Sequence, residues 1–386
     1  MGAGVSGWRL ARAVSQLGQL GVVSGTALDL ILARRLQDGD PGGHMRCGLD
    51  RFSDREMADQ IWRAYYVPGG KPPRAPYKSV PTHSKNSPIE LQELCVVANF
   101  VEVTLAREGH NNAVGINYLE KIQLPHLPSI YGAMLAGVGY VLVGAGVPLK
   151  IPGVLDRFAH HEPSTYLLQV TGANESDDRT LAFTPKTVVA RDLPPLTRPK
   201  FLAIVSSNTL ATTMLKKADG KVDGFVIEGY TAGGHNAPPR GKLQLDASGE
   251  AIYGERDVVD LDKIRALGSP FWLAGGYGSP EKLAEALAAG ATGVQVGTAF
   301  ASAKSPDWKT VASSCSWKKL ALPRPAYSPT RLPHRPAFPS KLPSWKGRFL
   351  RRRSMRPALA SVTWAICGRL IEPRLEPSTS AVPQNR

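Results

Sequence analysis

The residues of this sequence best suited to chemistry lie in one short stretch, DGFVIEGYTAGGHNAPPRG, from Asp223 to Gly241. Gly224 to Ile227 is a continuous apolar, β-branched run bounded by turn formers, the pattern of a buried parallel strand. Glu228 stands where that strand stops, and Gly233, Gly234 and His235 follow in a glycine-rich loop. Glycines admit positive φ and let backbone approach a ligand closely, and imidazole is the side chain there that moves protons near neutral pH. The layout is that of a catalytic strand end, although the same residues also fit a glycine-rich turn with an incidental histidine.

Two later loops carry a second kind of chemistry. AGGYGSPE, from Ala274 to Glu281, places Gly275 and Gly276 after an apolar run, and QVGT places Gly297 and Thr298 after Gln295. Glycines at consecutive strand ends leave main-chain N–H groups open to a phosphate, which a helix N-terminus also favours. Tight turns alone would explain them too. No Walker lysine is present, which disfavours a nucleoside triphosphate.

The elements that would position these loops recur along the chain. Seven short apolar strands, LGVVS, AVGINY, YVLV, FLAIVS, GFVI, PFWLA and GVQV, mostly alternate with helical segments such as Ile89 to Arg107 and Pro280 to Ala288. That alternation predicts a parallel α/β sheet with crossover helices. Seven strands plus one implied before Gly2 predict a (β/α)8 TIM barrel with its site on the loops after the strands. Residues 26–86 read as an irregular insertion containing one helix near Asp54 to Tyr66, residues 164–188 as a hairpin outside the main sheet, and Leu243 to Tyr253 as a second small hairpin. Ser6 is expected to cap a helix from Trp8 to Leu17. The myristoylation pattern at Gly2 and the G-x-G-x-x-G at Gly2, Gly4 and Gly7 are chance matches on this reading, since no strand precedes them.

Composition narrows the classes. The chain is 42% hydrophobic, enough for a sizeable core, and its net charge of +15 is unevenly spread. Residues 302–386 hold 17 Lys and Arg against 3 acids, so the body is nearly neutral. A basic nucleic-acid-binding role, the non-enzyme alternative, therefore rests on the tail alone. Cys47, Cys95, Cys315 and Cys367 lack CxxC spacing, so neither a metal site nor a disulfide framework is indicated. No apolar run approaches membrane length and no leader pattern opens the chain, which fits a cytoplasmic protein.

Together, EGYTAGGHNAPPRG, LAGGYGSPEKL, GVQVGTAFA, VGIN and GAGVSGWRLARAVSQLGQLGVVSG resemble the nitronate monooxygenase family, FMN-dependent (β/α)8 barrels. The resemblance runs from Gly2 to about Ala301. It implies FMN contacts at Asn117, Gly233, Gly234, Gly275, Gly276, Gln295, Gly297 and Thr298, with His235 as the catalytic residue. Glu228 lies where many members carry a flavin-contacting glutamine. The implied reaction oxidises alkyl nitronates or nitroalkanes with O2 to a carbonyl compound and nitrite, so the partners are a small-molecule substrate and O2. An FMN-dependent enoyl-thioester reductase drawing hydride from NAD(P)H is the alternative.

From Ser302 onward the sequence turns to Pro, Arg, Ser and Trp without helical or strand period, the composition of a disordered tail. Re-read in another codon frame, Asp307-Trp308 forces Leu, Trp345-Lys346 forces Glu and Trp364-Ala365 forces Gly, within strings that resemble the family's continuation. A frameshift near Ala301 is expected on this basis. Met1 falls where the family has the Met that ends its first strand. The expectation is thus a barrel lacking strand one, with two open strand edges.

Overall fold

A computed structural model describes residues 3–174, 176–189, 192–232, 237–247, 249–301 and 364–368. Its centre is a ring of strands: β1 (Leu20–Ser24), β2 (Val114–Leu119), β3 (Tyr140–Gly144), β6 (Lys200–Val205), β7 (Gly224–Glu228), β8 (Phe271–Ala274), β9 (Gly293–Val296) and β10 (Trp364–Gly368). The ring order is β1-β10-β9-β8-β7-β6-β3-β2, and every pairing is parallel except the two made by β10. The small antiparallel pair β4 (Ser164–Leu167) and β5 (Thr180–Phe183) stands apart from the ring, as the sequence suggested.

Both faces of the seven parallel ring strands are covered, which is why they read as unbroken apolar runs. Leu20, Val22, Tyr140, Leu142, Leu202, Ile204, Val226, Trp272 and Ala274 fill the lumen. The alternate residues, among them Ile116, Val141, Phe201, Phe225, Ile227, Phe271 and Leu273, meet the helices outside. The helices are α1 (Trp8–Gln16), α2 (Leu28–Gln37), α3 (His44–Leu49), α4 (Arg55–Tyr65), α5 (Ile89–Ala106), α6 (His126–Leu135), α7 (Ile151–Ala159), α8 (Pro185–Val188), α9 (Asn208–Lys217), α10 (Leu261–Ala266), α11 (Pro280–Ala288) and α12 (Thr298–Ala301). Side-chain caps open several of them: Asp54, Ser207, Asp260 and Ser279 each accept from a main-chain N–H in the first turn.

Three expectations are revised. Residues 28–65 are helical rather than irregular, while residues 66–86 hold no helix or strand: α2, α3 and α4 pack on α5, with Leu28, Leu32, Leu36, Met45, Leu49 and Phe52 buried in the outer core. The leucines recur every four residues, a helical stripe that satisfies its hydrophobic face against α5. Ser6 does not cap α1; its hydroxyl donates to the Val22 carbonyl at 2.5 Å. The first N–H of α1, at Trp8, donates instead to the buried Glu102 carboxylate at 2.8 Å, and Arg35 pairs with the same carboxylate at 2.5 Å. Residues 243–253 keep the expected small hairpin in its shortest form, an antiparallel bridge from Leu245 to Ala251 flanked by the Ile252 N–H donating to the Gln244 carbonyl at 3.0 Å and the Asp246 N–H to the Glu250 carbonyl at 2.8 Å. Finally, the ring has no open edges: β10, from the basic tail, runs antiparallel between β1 and β9, where the first parallel strand was expected to be missing. The rest of the tail lies outside the described residues.

Candidate active site at the carboxyl end of the ring

Strand alternation decides which side chains enter the lumen. Ile116 and Tyr118 belong to the outer core, so Asn117 between them points inward, in register with Ser24 of β1 and Leu142 of β3. Val294 is likewise an outer residue and Val296 packs against the same outer core, so Gln295 faces the lumen, in register with Ala274 of β8. Val226 is a lumen residue, which puts Glu228 on the same face, also in register with Ala274. The small Ala274 thus separates Glu228 from Gln295, and the three expected ligands Asn117, Glu228 and Gln295 share one end of the ring.

Asn117 is fully buried and Gln295 nearly so, yet neither amide has a hydrogen-bond partner for its oxygen or its nitrogen among the described residues. Leaving an amide unpaired in an apolar interior costs on the order of 1–3 kcal/mol. Two such groups in one lumen are therefore placed for a guest that offers both donors and acceptors. A flavin's heterocycle has that alternating edge, and the residues present fit it. The Trp272 indole N–H is a third unpartnered donor in the lumen.

Glu228 closes β7 partly buried, and burial pushes its carboxyl up to about 7. The chain then turns: the Gly229 N–H donates to the Ala274 carbonyl at 3.1 Å and the Thr231 hydroxyl to the Gly275 carbonyl at 3.2 Å. Gly275 and Gly276 have φ of 97° and 80°. The two glycines differ in what they do. A Cβ on Gly275 would lie 2.9 Å from the Ala232 nitrogen, so this glycine is required by the turn after β7, whereas one on Gly276 would enter nearly open space. Between these turns lies a cavity of about 410 Å3, bounded by Tyr230, Thr231, Gly275, Gly276, Tyr277 and Lys282. That is within the size range of small-molecule sites. The capped N-terminus of α11 follows directly, as the phosphate expectation requires.

Gly297 links β9 to α12, and Thr298 opens α12. Gly233, Gly234 and His235 lie outside the described residues. Four residues at this end were assigned no role from the sequence, although Arg240 lies in the Asp223–Gly241 stretch and Ser206 ends the FLAIVS strand; Tyr253 and Asp257 of the loop after β7 join them. Their loop has no element pattern, and only its return onto the strand ends brings them to the site.

Residues 188–320 match the family model described as nitronate monooxygenase, a segment that spans β6 to β9 and every expected ligand except Asn117. No curated protein matches the chain. Among solved structures, FabK from Thermotoga maritima is 17% identical over 80% of this chain and 61% of its own, with a TM-score of 0.38. A mutant of the same FabK is 16% identical over 80% and 64%, with a TM-score of 0.38. The chain thus spans less than two thirds of either FabK chain. Among the described residues no helix is long and apolar enough to cross a membrane. By the matched segment, residues 188–320 of 386, the chain is similar to the nitronate monooxygenase family.

Proposed function

We propose that this enzyme binds FMN at the carboxyl end of the ring and oxidises alkyl nitronates or nitroalkanes with O2 to a carbonyl compound and nitrite. The observation that carries the reading is the pair of buried, unpartnered amides, Asn117 and Gln295, facing one lumen. They hold and orient the flavin's heterocycle, while Gly275, Gly276, Gly297 and Thr298 present main-chain N–H groups to its phosphate. Bound flavin supplies electron acceptance from the substrate and the return of those electrons to O2. His235 takes the α-proton of a neutral nitroalkane or stabilises an anionic nitro group, either of which suits an imidazole titrating near neutrality.

The absorption spectrum of the purified protein, supplemented with FMN, tests the binding step. His235→Ala is expected to keep FMN bound and to lose most nitroalkane turnover; unchanged turnover would remove His235 from the reaction. NADH added without air is expected to leave the flavin oxidised. Rapid bleaching would replace nitronate oxidation with the enoyl-thioester reductase reading.

A further inference from the structure

Above Glu228 the loop after β7 folds back and makes a second, smaller cavity. Its volume is about 30 Å3, and its walls include Ser206, Glu228, Gly229, Tyr230 and Arg240. We propose that this cavity binds a planar three-atom oxyanion head group, a nitronate or a carboxylate, with the Arg240 guanidinium as its cationic partner and the Glu228 carboxyl as its hydrogen-bond donor. That the oxyanion is the substrate's own head group rests on the nitronate reading above; the anion site itself does not.

The loop is built to hold Arg240 there. Asp257 accepts the Arg240 main-chain N–H at 2.7 Å through one oxygen and the Gly254 N–H at 2.8 Å through the other. The Tyr253 hydroxyl donates to the Ala237 carbonyl at 3.2 Å, and the Tyr253 ring stacks on Tyr230 at 5.0 Å and 15°. From that clamped backbone the guanidinium reaches the Ser206 carbonyl at 3.1 Å, across the end of β6. A guanidinium is a planar fork that pairs with planar oxyanions through two parallel N–H bonds. Among the described residues no salt bridge joins it to a carboxylate; Asp257 accepts main-chain N–H groups from Gly254 and Arg240 and feels the Arg240 charge at longer range.

Size selects the guest. A water needs roughly 10–15 Å3 of such space, so the cavity holds about two waters, or one XO2 group in their place. The titratable and charged groups that line the cavity with Glu228 are Arg240 and Asp257 from the loop and the Tyr230 and Tyr253 phenols. Burial keeps the carboxyl protonated to about pH 7, and in that form it donates to the anion. Anion affinity therefore falls as pH rises beyond that point.

Calorimetric titration of the flavin-free full chain with acetate, at fixed chloride concentration, tests the site. The wild type is expected to show one saturable acetate site with weaker binding of tetrahedral sulfate, and Arg240→Met at least tenfold weaker acetate binding. Anions held by the basic tail are common to both and cancel in the comparison. Should Arg240→Met not fold, Arg240→Lys keeps the charge without the fork and is expected to weaken acetate several-fold. Glu228→Gln is expected to keep acetate binding and lose its decline above about pH 7. Acetate affinity unchanged by either Arg240 variant, or wild-type binding that favours sulfate, overturns the proposal. FMN added to the same preparations reports separately on the proposed function, so failure of flavin binding and failure of the anion site are distinguishable.

Discussion

Buried amides without partners work against the stability of the flavin-free protein, which gives Gln295 a test with two opposite signs. Gln295→Met keeps the length of the side chain and removes both unpaired polar atoms. Flavin-free Gln295→Met is expected to be more stable than the parent by about 1 kcal/mol in thermal unfolding, while its FMN affinity falls at least tenfold in a titration followed by absorbance. A loss of stability in the flavin-free variant would mean that the amide already has a partner. Glu228 gives a second test at this scale. Its carboxyl rises from an ordinary 4.5 to about 7 in the folded chain, so the fold favours the neutral form. The associated stability is complete below about pH 4.5 and is lost as pH rises to about 7. Because the side chain is only partly buried, the loss is expected to be roughly 1–3 kcal/mol. Melting temperatures between pH 5 and 8 should fall with pH in the parent and lose that component in Glu228→Gln; parallel curves would place the carboxyl in water.

At the scale of elements, close helix packing makes an equally sharp demand. On α6, a Cβ at Gly132 would lie 2.1 Å from the Val96 carbonyl oxygen of α5, so the two helices touch backbone to backbone. Gly132→Ala is expected to lose about 2–3 kcal/mol, as overpacked core positions do. Gly254→Ala, in open space, is expected to stay within about 0.5 kcal/mol. Urea unfolding of the two variants checks both. The seven parallel strands and the place of Asn117, Glu228 and Gln295 at or near their carboxyl ends were legible in sequence because parallel strands buried on both faces leave unbroken apolar runs, whereas the inward direction of those residues came only from strand alternation in the fold. The helices of residues 28–65 were partly hidden, since Pro and charge between them mask the Leu28, Leu32, Leu36 stripe. Arg240 was illegible for a different reason. Its position depends on the Asp257 clamp, a contact across 17 residues of loop that no periodicity records.

For the whole molecule, the unequal charge and the closed ring meet in β10. Residues 302–386 hold 17 of the chain's 47 Lys and Arg, and this basic segment also supplies the strand that joins β1 to β9. A strand hydrogen-bonded on both sides leaves no solvent-facing N–H that a proline could replace harmlessly. Ile366 is paired with Leu20 on one side and Gln295 on the other, so Ile366→Pro removes a ladder bond and reopens two edges. Open edges recruit other chains. The variant is expected to unfold at lower temperature by the equivalent of roughly 1–3 kcal/mol, and to shift toward larger species in size-exclusion chromatography. Gln295 lies in the register that would be disturbed, so FMN binding should weaken in the same preparation. A variant that keeps the parent's melting temperature, elution volume and flavin affinity would show that the ring stands without β10 and that the tail's charge acts apart from the fold.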